Sequence, residues 1–302
     1  MHVVIVGAGS LGSAIAVELV RAGHDVTLLC RGARLERLRT HPVELERDGM
    51  VHSARVPVEE AAALARPVDA AIFCTKMADL ASVARELAPR LAPGATAVTL
   101  QNGVEAPTVL ADCLPRATVI AGRVHGFFEM AGDRVRHVGV PPAVVIGGTG
   151  PDRRATEGLA CELLRQAGFT CEASPDIARE LWLKLMLAAG LAGVGTMLGV
   201  PAGQVCRTAA HEAILRQALG EVVSVARACS VGLTPGDVEP TLAFARAFPP
   251  EATTSLQRDL AGGLPSEYDA LIGAVLRLAA QHHVPVPTFK AIEAAVRPTP
   301  QR

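Results

Sequence analysis

Apolar and polar positions follow two patterns along this chain, a mixed one before about residue 174 and a purely helical one after it. Residues 3–6, Val-Val-Ile-Val, form an uncharged apolar run, the mark of a parallel strand buried on both faces. Residues 13–22 set Ile15, Ala16, Leu19 and Val20 on one helical face, with Gly23 as the stop. Residues 25–30 predict a second strand. A short helix is expected over 33–38, and strand pieces over 43–58 around an Asp48-Gly49 turn. Strands are expected over 69–74 and 95–100, with a helix between them that runs through Leu87 and stops at Pro89. Residues 119–121 and 143–146 read as strands on either side of a hairpin-like stretch, 127–138. A helix over 151–167 and a short strand over 169–171 follow. Such alternation defines an α/β fold with a doubly wound, mostly parallel sheet.

Ser174-Pro175-Asp176 has the chemistry of a helix start, and from there no strand pattern recurs. Helices are expected over 177–198, 209–231, 235–247, 255–261, 266–282 and 288–296. The expected organisation is an N-terminal Rossmann-type domain, 1–173, followed by an all-helical C-terminal domain, 174–302.

Between the first strand and the first helix stands Gly7-Ala8-Gly9-Ser10-Leu11-Gly12. Strand, glycine turn, helix and strand within about thirty residues make the frame that a dinucleotide fingerprint requires. Gly7 allows the tight turn, Gly9 lets backbone approach a pyrophosphate, and Gly12 lets the helix lie close to the strand. The helix start offers N–H groups and a partial positive charge to phosphate. At the end of the second strand, an acid would hold the ribose 2′-hydroxyl of NAD, and an Arg would accommodate the 2′-phosphate of NADP. Here Cys30-Arg31 occupies that place, with Arg34 one turn on and Glu36 too late, so NADP(H) is expected over NAD(H), the other reading being that Arg31 is an ordinary solvated loop charge.

Composition narrows the remaining classes. The 302 residues suffice for two cores, half are hydrophobic and only 3% are aromatic. A formal net charge of −1 gives no basic field for nucleic acid or an anionic membrane. Seven cysteines include no C-x-x-C pair, so neither a disulfide framework nor a metal site is expected. The apolar run 185–206 is interrupted by five glycines and a proline and reads as a buried helix and its turn. With a strand starting at residue 2, no leader is expected, and the reading is a soluble cytoplasmic protein. The apolar stretch 209–231 could serve as core or as a homodimer face.

Ligands of open α/β sheets gather at the carboxyl ends of strands, where Thr75-Lys76 and Gln101-Asn102-Gly103 fall. Lys76 is a candidate for a cofactor phosphate or ribose, or a solvated loop lysine. Asn102 is a candidate for the nicotinamide end or the substrate, or part of an ordinary Asn-Gly turn. Lys184 lies inside Leu181-Trp182-Leu183-Lys184-Leu185-Met186-Leu187, with Glu180 one turn before it. Two readings fit: a surface i,i+4 ion pair, or a general acid. Ser255-Leu256-Gln257-Arg258-Asp259 and Ser266-Glu267 add a dense polar set. Glu267 can cap a helix, orient the lysine or accept a hydroxyl.

Together these pieces resemble the ketopantoate reductase (2-dehydropantoate 2-reductase) family over nearly the whole chain. The carriers are the glycine turn, Arg31, Cys74-Thr75-Lys76, Gln101-Asn102-Gly103, Glu180-Leu181-Trp182-Leu183-Lys184-Leu185, and Ser255 to Asp259 with Glu267 eight residues later. The resemblance implies a Rossmann domain coupled to a helical one, and hydride transfer from NADPH to a 2-oxo acid. It implies Lys184 as proton donor, Glu267 and Asn102 in contact with cofactor and substrate, Ser255 on the substrate, and Lys76 near the cofactor. The family's asparagines four and eight residues after the lysine are here Ala188 and Ala192, and a further polar contact is replaced by Ala202. Methyl groups in place of amides imply a bulkier, more apolar ketone, 2-oxo acid or imine. Two other readings stand beside this one. A non-catalytic NADP(H)-binding sensor or interaction protein would have little use for Lys184, Ser255 and Glu267 together. A 3-hydroxyacid dehydrogenase-like enzyme would carry a glycine before the lysine and an asparagine four after it, which Glu180-Leu181-Trp182-Leu183 and Ala188 do not match.

Overall fold

A computed structural model describes residues 1–148 and 153–296. The first two residues of the helix expected over 151–167, and the last six of the expected helical domain, lie outside the described residues. The chain forms two compact units, one of Met1–Gln101 with Ala106–Ile177, the other of Asn102–Glu105 with the chain from Ala178 on.

The first unit runs β1 (His2–Val6), α1 (Ser10–Arg21), β2 (Asp25–Leu29), α2 (Gly32–Thr40), β3 (Val43–Arg47), β4 (Met50–Ala54), β5 (Val58–Glu59), β6 (Val68–Phe73), α3 (Met77–Leu87), β7 (Leu91–Thr99), α4 (Ala106–Cys113), β8 (Thr118–Ala131), β9 (Arg134–Gly148), α5 (Arg153–Gln166) and β10 (Thr170–Ala173). Its ten-stranded sheet has the order β4-β3-β9-β8-β7-β6-β1-β2-β5, with β10 beside β9. Seven strand pairs are parallel and two, β3–β4 and β8–β9, antiparallel. β1 is wholly buried because its Val and Ile side chains meet helices on both faces. On one face Ile15 and Leu19 of α1 join Leu163 and Leu164 of α5; on the other, Leu80 and Leu87 of α3 join Leu110 of α4. Full burial of each such side chain contributes about 1.5–3 kcal/mol.

Residues 119–121, 127–138 and 143–146 are not separate pieces but parts of one long hairpin, β8 with β9. Its charged positions, Glu129, Arg134 and Arg136, interrupt the apolar runs because they sit on exposed parts of the sheet, where Arg136 pairs with Glu46 and Glu129. The short helix α4, opening Ala106-Pro107, was not predicted; eight residues are too few for a clear helical period. At Asp48-Gly49 both residues have positive φ, 51° and 75°, as the two-residue hairpin turn requires.

The second unit contains α6 (Ile177–Leu198, its first residue packing with the sheet), α7 (Ala209–Ala228), α8 (Val238–Arg246), α9 (Ser255–Ala261), α10 (Ala274–Gln281) and α11 (Pro287–Val296). α6 is long and apolar enough to cross a membrane by length and composition, yet 61% of its most apolar window is buried in the protein. Its glycines let neighbours approach: a Cβ on Gly190 would stand 2.8 Å from Leu219, and one on Gly193 2.9 Å from Ile292. The apolar positions of α7, including Leu215, Leu219 and Val222, fill this core. The helix expected over 235–247 opens as a 3₁₀ turn at Pro235–Asp237, fixed by a capping box between Thr234 and Asp237. The one expected over 266–282 opens as a wide π turn, Asp269–Gly273, before α10.

Candidate functional site

The glycine turn follows from steric demands that each position answers differently. Gly7 has φ +106°, a region open to glycine, and its N–H donates to the Leu29 carbonyl at 2.9 Å. A Cβ on Gly12 would lie 2.0 Å from the Gly7 oxygen, so no side chain fits there. Gly9 is different. Its φ of −73° suits any residue, and a Cβ there would meet nothing within 4 Å. The fold itself gives no reason for this glycine; a ligand lying against the backbone does. Gly9 is the N-cap of α1, which starts three residues earlier than expected, so Ser10, Leu11 and Gly12 form its first turn. No side chain caps that end and its first turn carries no acid, which leaves its N–H groups able to receive an anion. Ala8 is half-buried beside them. These residues fit a dinucleotide pyrophosphate.

Beyond β2, Arg31 is the N-cap of α2 and its exposed guanidinium hydrogen-bonds Asp79 in the first turn of α3. Arg34 donates to Ser13 Oγ at 3.4 Å, its Nε is buried without a partner among the described residues, and burial lowers its pKa. Lys76, exposed, is the N-cap of α3, so it and the Arg31–Asp79 pair share one helix end. Burial raises the Cys30 thiol against the opposing pull of the Arg34 and Arg39 guanidinium groups, with the nearby Glu60 carboxylate adding a little to the rise. Burial also pushes Cys74 up to about 12, so neither thiol at the turn is a thiolate at neutral pH. Asp79 and Glu60 were not singled out in the sequence, because strand spacing does not say which loops meet β2.

In the second unit, Asn102 Nδ2 donates to Glu267 Oε2 at 2.7 Å, and both residues are half-buried. The fold closes the sequence separation of 165 residues that parts them. Lys184 stands on α6, half-buried, one turn before half-buried Ala188 and two turns before buried Ala192. Ala202 is also buried, and its N–H donates to Gln257 Oε1 at 3.2 Å. Ser255 is the exposed first residue of α9, whose start is fixed by a Thr254–Gln257 capping box. The structure thus brings Asn102 and Glu267 into contact. Ser255 makes no side-chain hydrogen bond among the described residues.

A glycine turn on a doubly wound sheet, followed by an all-helical unit carrying a lysine and an Asn–Glu pair, defines a dinucleotide-dependent oxidoreductase. The family descriptions Ketopantoate reductase PanE/ApbA and Ketopantoate reductase PanE/ApbA C terminal match residues 3–150 and 176–299. The chain is 32% identical to a 2-dehydropantoate 2-reductase of Halobacterium salinarum, over 98% of both chains. It is 30% identical, with a TM-score of 0.87, to a PanE/ApbA family ketopantoate reductase from Ralstonia eutropha JMP134, covering 98% of this chain and 97% of that one. D-mandelate dehydrogenase is similar in fold, with a TM-score of 0.88 at 21% identity, over 98% of this chain and 97% of that one. The chain belongs to the ketopantoate reductase family and is a reductase acting on a C=O group.

Proposed function

We propose that this protein reduces a 2-oxo acid more apolar than ketopantoate, using NADPH. The observation that carries the cofactor is Gly9, a glycine facing open space between two glycines packed against their neighbours. Arg31 and Arg34 support the phosphorylated form; Asp79 and Glu60, both near β2, are the groups that would favour NADH instead.

A bound nicotinamide supplies the hydride. The chain's part is to hold the acceptor and manage one proton. As the carbonyl carbon takes the hydride, its C=O electron pair moves onto oxygen, and the Lys184 ammonium gives that oxygen a proton. Lysine is left neutral and regains its proton from solvent, so each turnover consumes one NADPH and one proton. The Asn102 amide, held by Glu267, keeps hydrogen-bonding capacity for cofactor or substrate, and the second carboxylate oxygen of Glu267 can accept a hydroxyl. The Ser255 hydroxyl, exposed on α9, completes the substrate set. Ala188 and Ala192 support the apolar preference, because methyl groups on the lysine's helix face cannot replace amide hydrogen bonds.

NADPH and NADH oxidation, followed by absorbance with ketopantoate and larger 2-oxo acids, tests the reading. The expected result is NADPH preference and a higher kcat/KM for larger substrates. Ketopantoate turnover at about 10⁴ M⁻¹s⁻¹ or more would refute the changed substrate. Tight NADPH binding without turnover of any carbonyl would favour the sensor reading.

A further inference from the structure

Asn102–Glu105 follows directly on Gln101, the last residue before it in the sheet-bearing unit, yet packs with the helical unit. Val104 packs against the helical core, and three further contacts hold the segment there. Asn102 reaches Glu267, as above. Gly103, at φ +97°, lies so close to the π turn that a Cβ would stand 2.6 Å from the Ala270 carbonyl oxygen. Glu105 accepts from Arg277, Nη2 to Oε2 at 2.7 Å and Nε to Oε1 at 3.4 Å. Arg277 Nη2 also donates to the Asp269 carbonyl at 2.8 Å, where the π turn begins. A planar guanidinium can make these bonds together; an ammonium has no such fork. Gly273 leaves room for it, since a Cβ there would meet Arg277 Nη1 at 2.9 Å. One side chain therefore ties two backbone segments whose ends carry the site pair: Asn102 lies three residues before Glu105, and Glu267 two before Asp269.

We propose that Arg277 is a positioning residue for the reaction, clasping Glu105 and the Asp269 carbonyl so that Asn102 and Glu267 stay in register for the substrate. The inference rests on the proposed roles of Asn102 and Glu267. The clasp has little else to do. Arg277 and Glu105 side chains are 49% and 27% exposed, and an ion pair so open to solvent adds little to stability. Misplacement of a site group by about 1 Å, by contrast, can cost on the order of 100-fold in rate.

The test compares R277A, R277K, E105Q and R277A/E105Q in the full chain. With a 2-oxo acid that the wild type reduces, R277A and E105Q should each raise KM about tenfold or more, with thermal melting little changed. The double variant should be no worse than the worse single one, because both break one clasp. R277K should recover only part of the loss. Hydrogen exchange over residues 102–105 should quicken in R277A. An unchanged KM, additive losses, or a KM change matched by a collapse in melting would each overturn the proposal. If the wild type reduces no carbonyl, the proposed function fails on its own. Exchange over 102–105 then decides the clasp, faster in R277A supporting it and unchanged refuting it.

Discussion

Gly9→Ala and Gly12→Ala differ by one methyl group each, three residues apart, and should fail in opposite ways. The methyl of Gly12→Ala would start 2.0 Å from the Gly7 oxygen, inside the first turn of α1. That overlap must move the helix or the turn, at a cost of about 1–3 kcal/mol or more. For a unit of this size each kcal/mol lowers Tm by about 2–4 °C. The methyl of Gly9→Ala meets no protein atom within 4 Å, at a φ of −73° that alanine adopts freely. Alanine is a poorer N-cap than glycine, but it also reduces the freedom of the unfolded chain by about 0.4–1 kcal/mol, so the two nearly cancel. What Gly9→Ala should remove is backbone contact with the pyrophosphate. Charge-assisted hydrogen bonds contribute about 1.5–3 kcal/mol each, so one lost bond weakens binding about 10- to 150-fold. The assay is NADPH titration by fluorescence beside a thermal melt. Gly9→Ala should melt like wild type and bind poorly. Wild-type affinity in Gly9→Ala would mean that no phosphate lies against this backbone, and a melt depressed as far as that of Gly12→Ala would mean that the space beside Gly9 is not open.

Three further outcomes are expected. Lys184→Ala should lower kcat by about 10²–10⁴, the usual worth of a general acid, while the Kd for NADPH stays within a few-fold of wild type. Ala188→Asn restores an amide one turn after the lysine, so it should improve kcat/KM for ketopantoate by about 2- to 10-fold and worsen it for larger 2-oxo acids. Burial alone would raise the Asp237 carboxyl, but hydrogen bonds from Arg179 at 2.5 Å and 3.1 Å and from Thr234 hold it below the usual carboxylate range. A lowered folded pKa means stability that is present above about pH 4 and lost as pH falls through the folded value. Urea unfolding at pH 6 and pH 3.5 should therefore show a larger acid loss for wild type than for Asp237→Asn.

What could be read from the chain was what is local. The run Val3 to Val6, the glycine turn after it, α6 over 177–198 and α9 over 255–261 have periods and caps that need no distant partner. The long hairpin was fragmented because charged residues on its open face break the apolar run while the backbone ladder continues beneath them. Three contacts could not be read at all. Asn102 meets Glu267 across 165 residues, Glu105 meets Arg277 across 172, and Arg31 meets Asp79 across 48. Asn102, Glu267 and Arg31 stand out in the sequence as site residues, but spacing does not show what each one meets, and Asp79, Glu105 and Arg277 read as ordinary loop or helix-surface charges. Only the fold's closure made them neighbours, and the π turn that presents the Asp269 carbonyl leaves no signature in helical spacing.

Hydride transfer from NADPH to a carbonyl carbon leaves a mark that labelled cofactor reveals. NADPH carrying deuterium at the transferring position of the nicotinamide would be incubated with the best 2-oxo acid, and the product examined by mass spectrometry. The expected product is a 2-hydroxy acid one mass unit heavier, with the deuterium on the former carbonyl carbon. Unlabelled product, or cofactor oxidised with no hydroxy acid formed, would contradict that transfer.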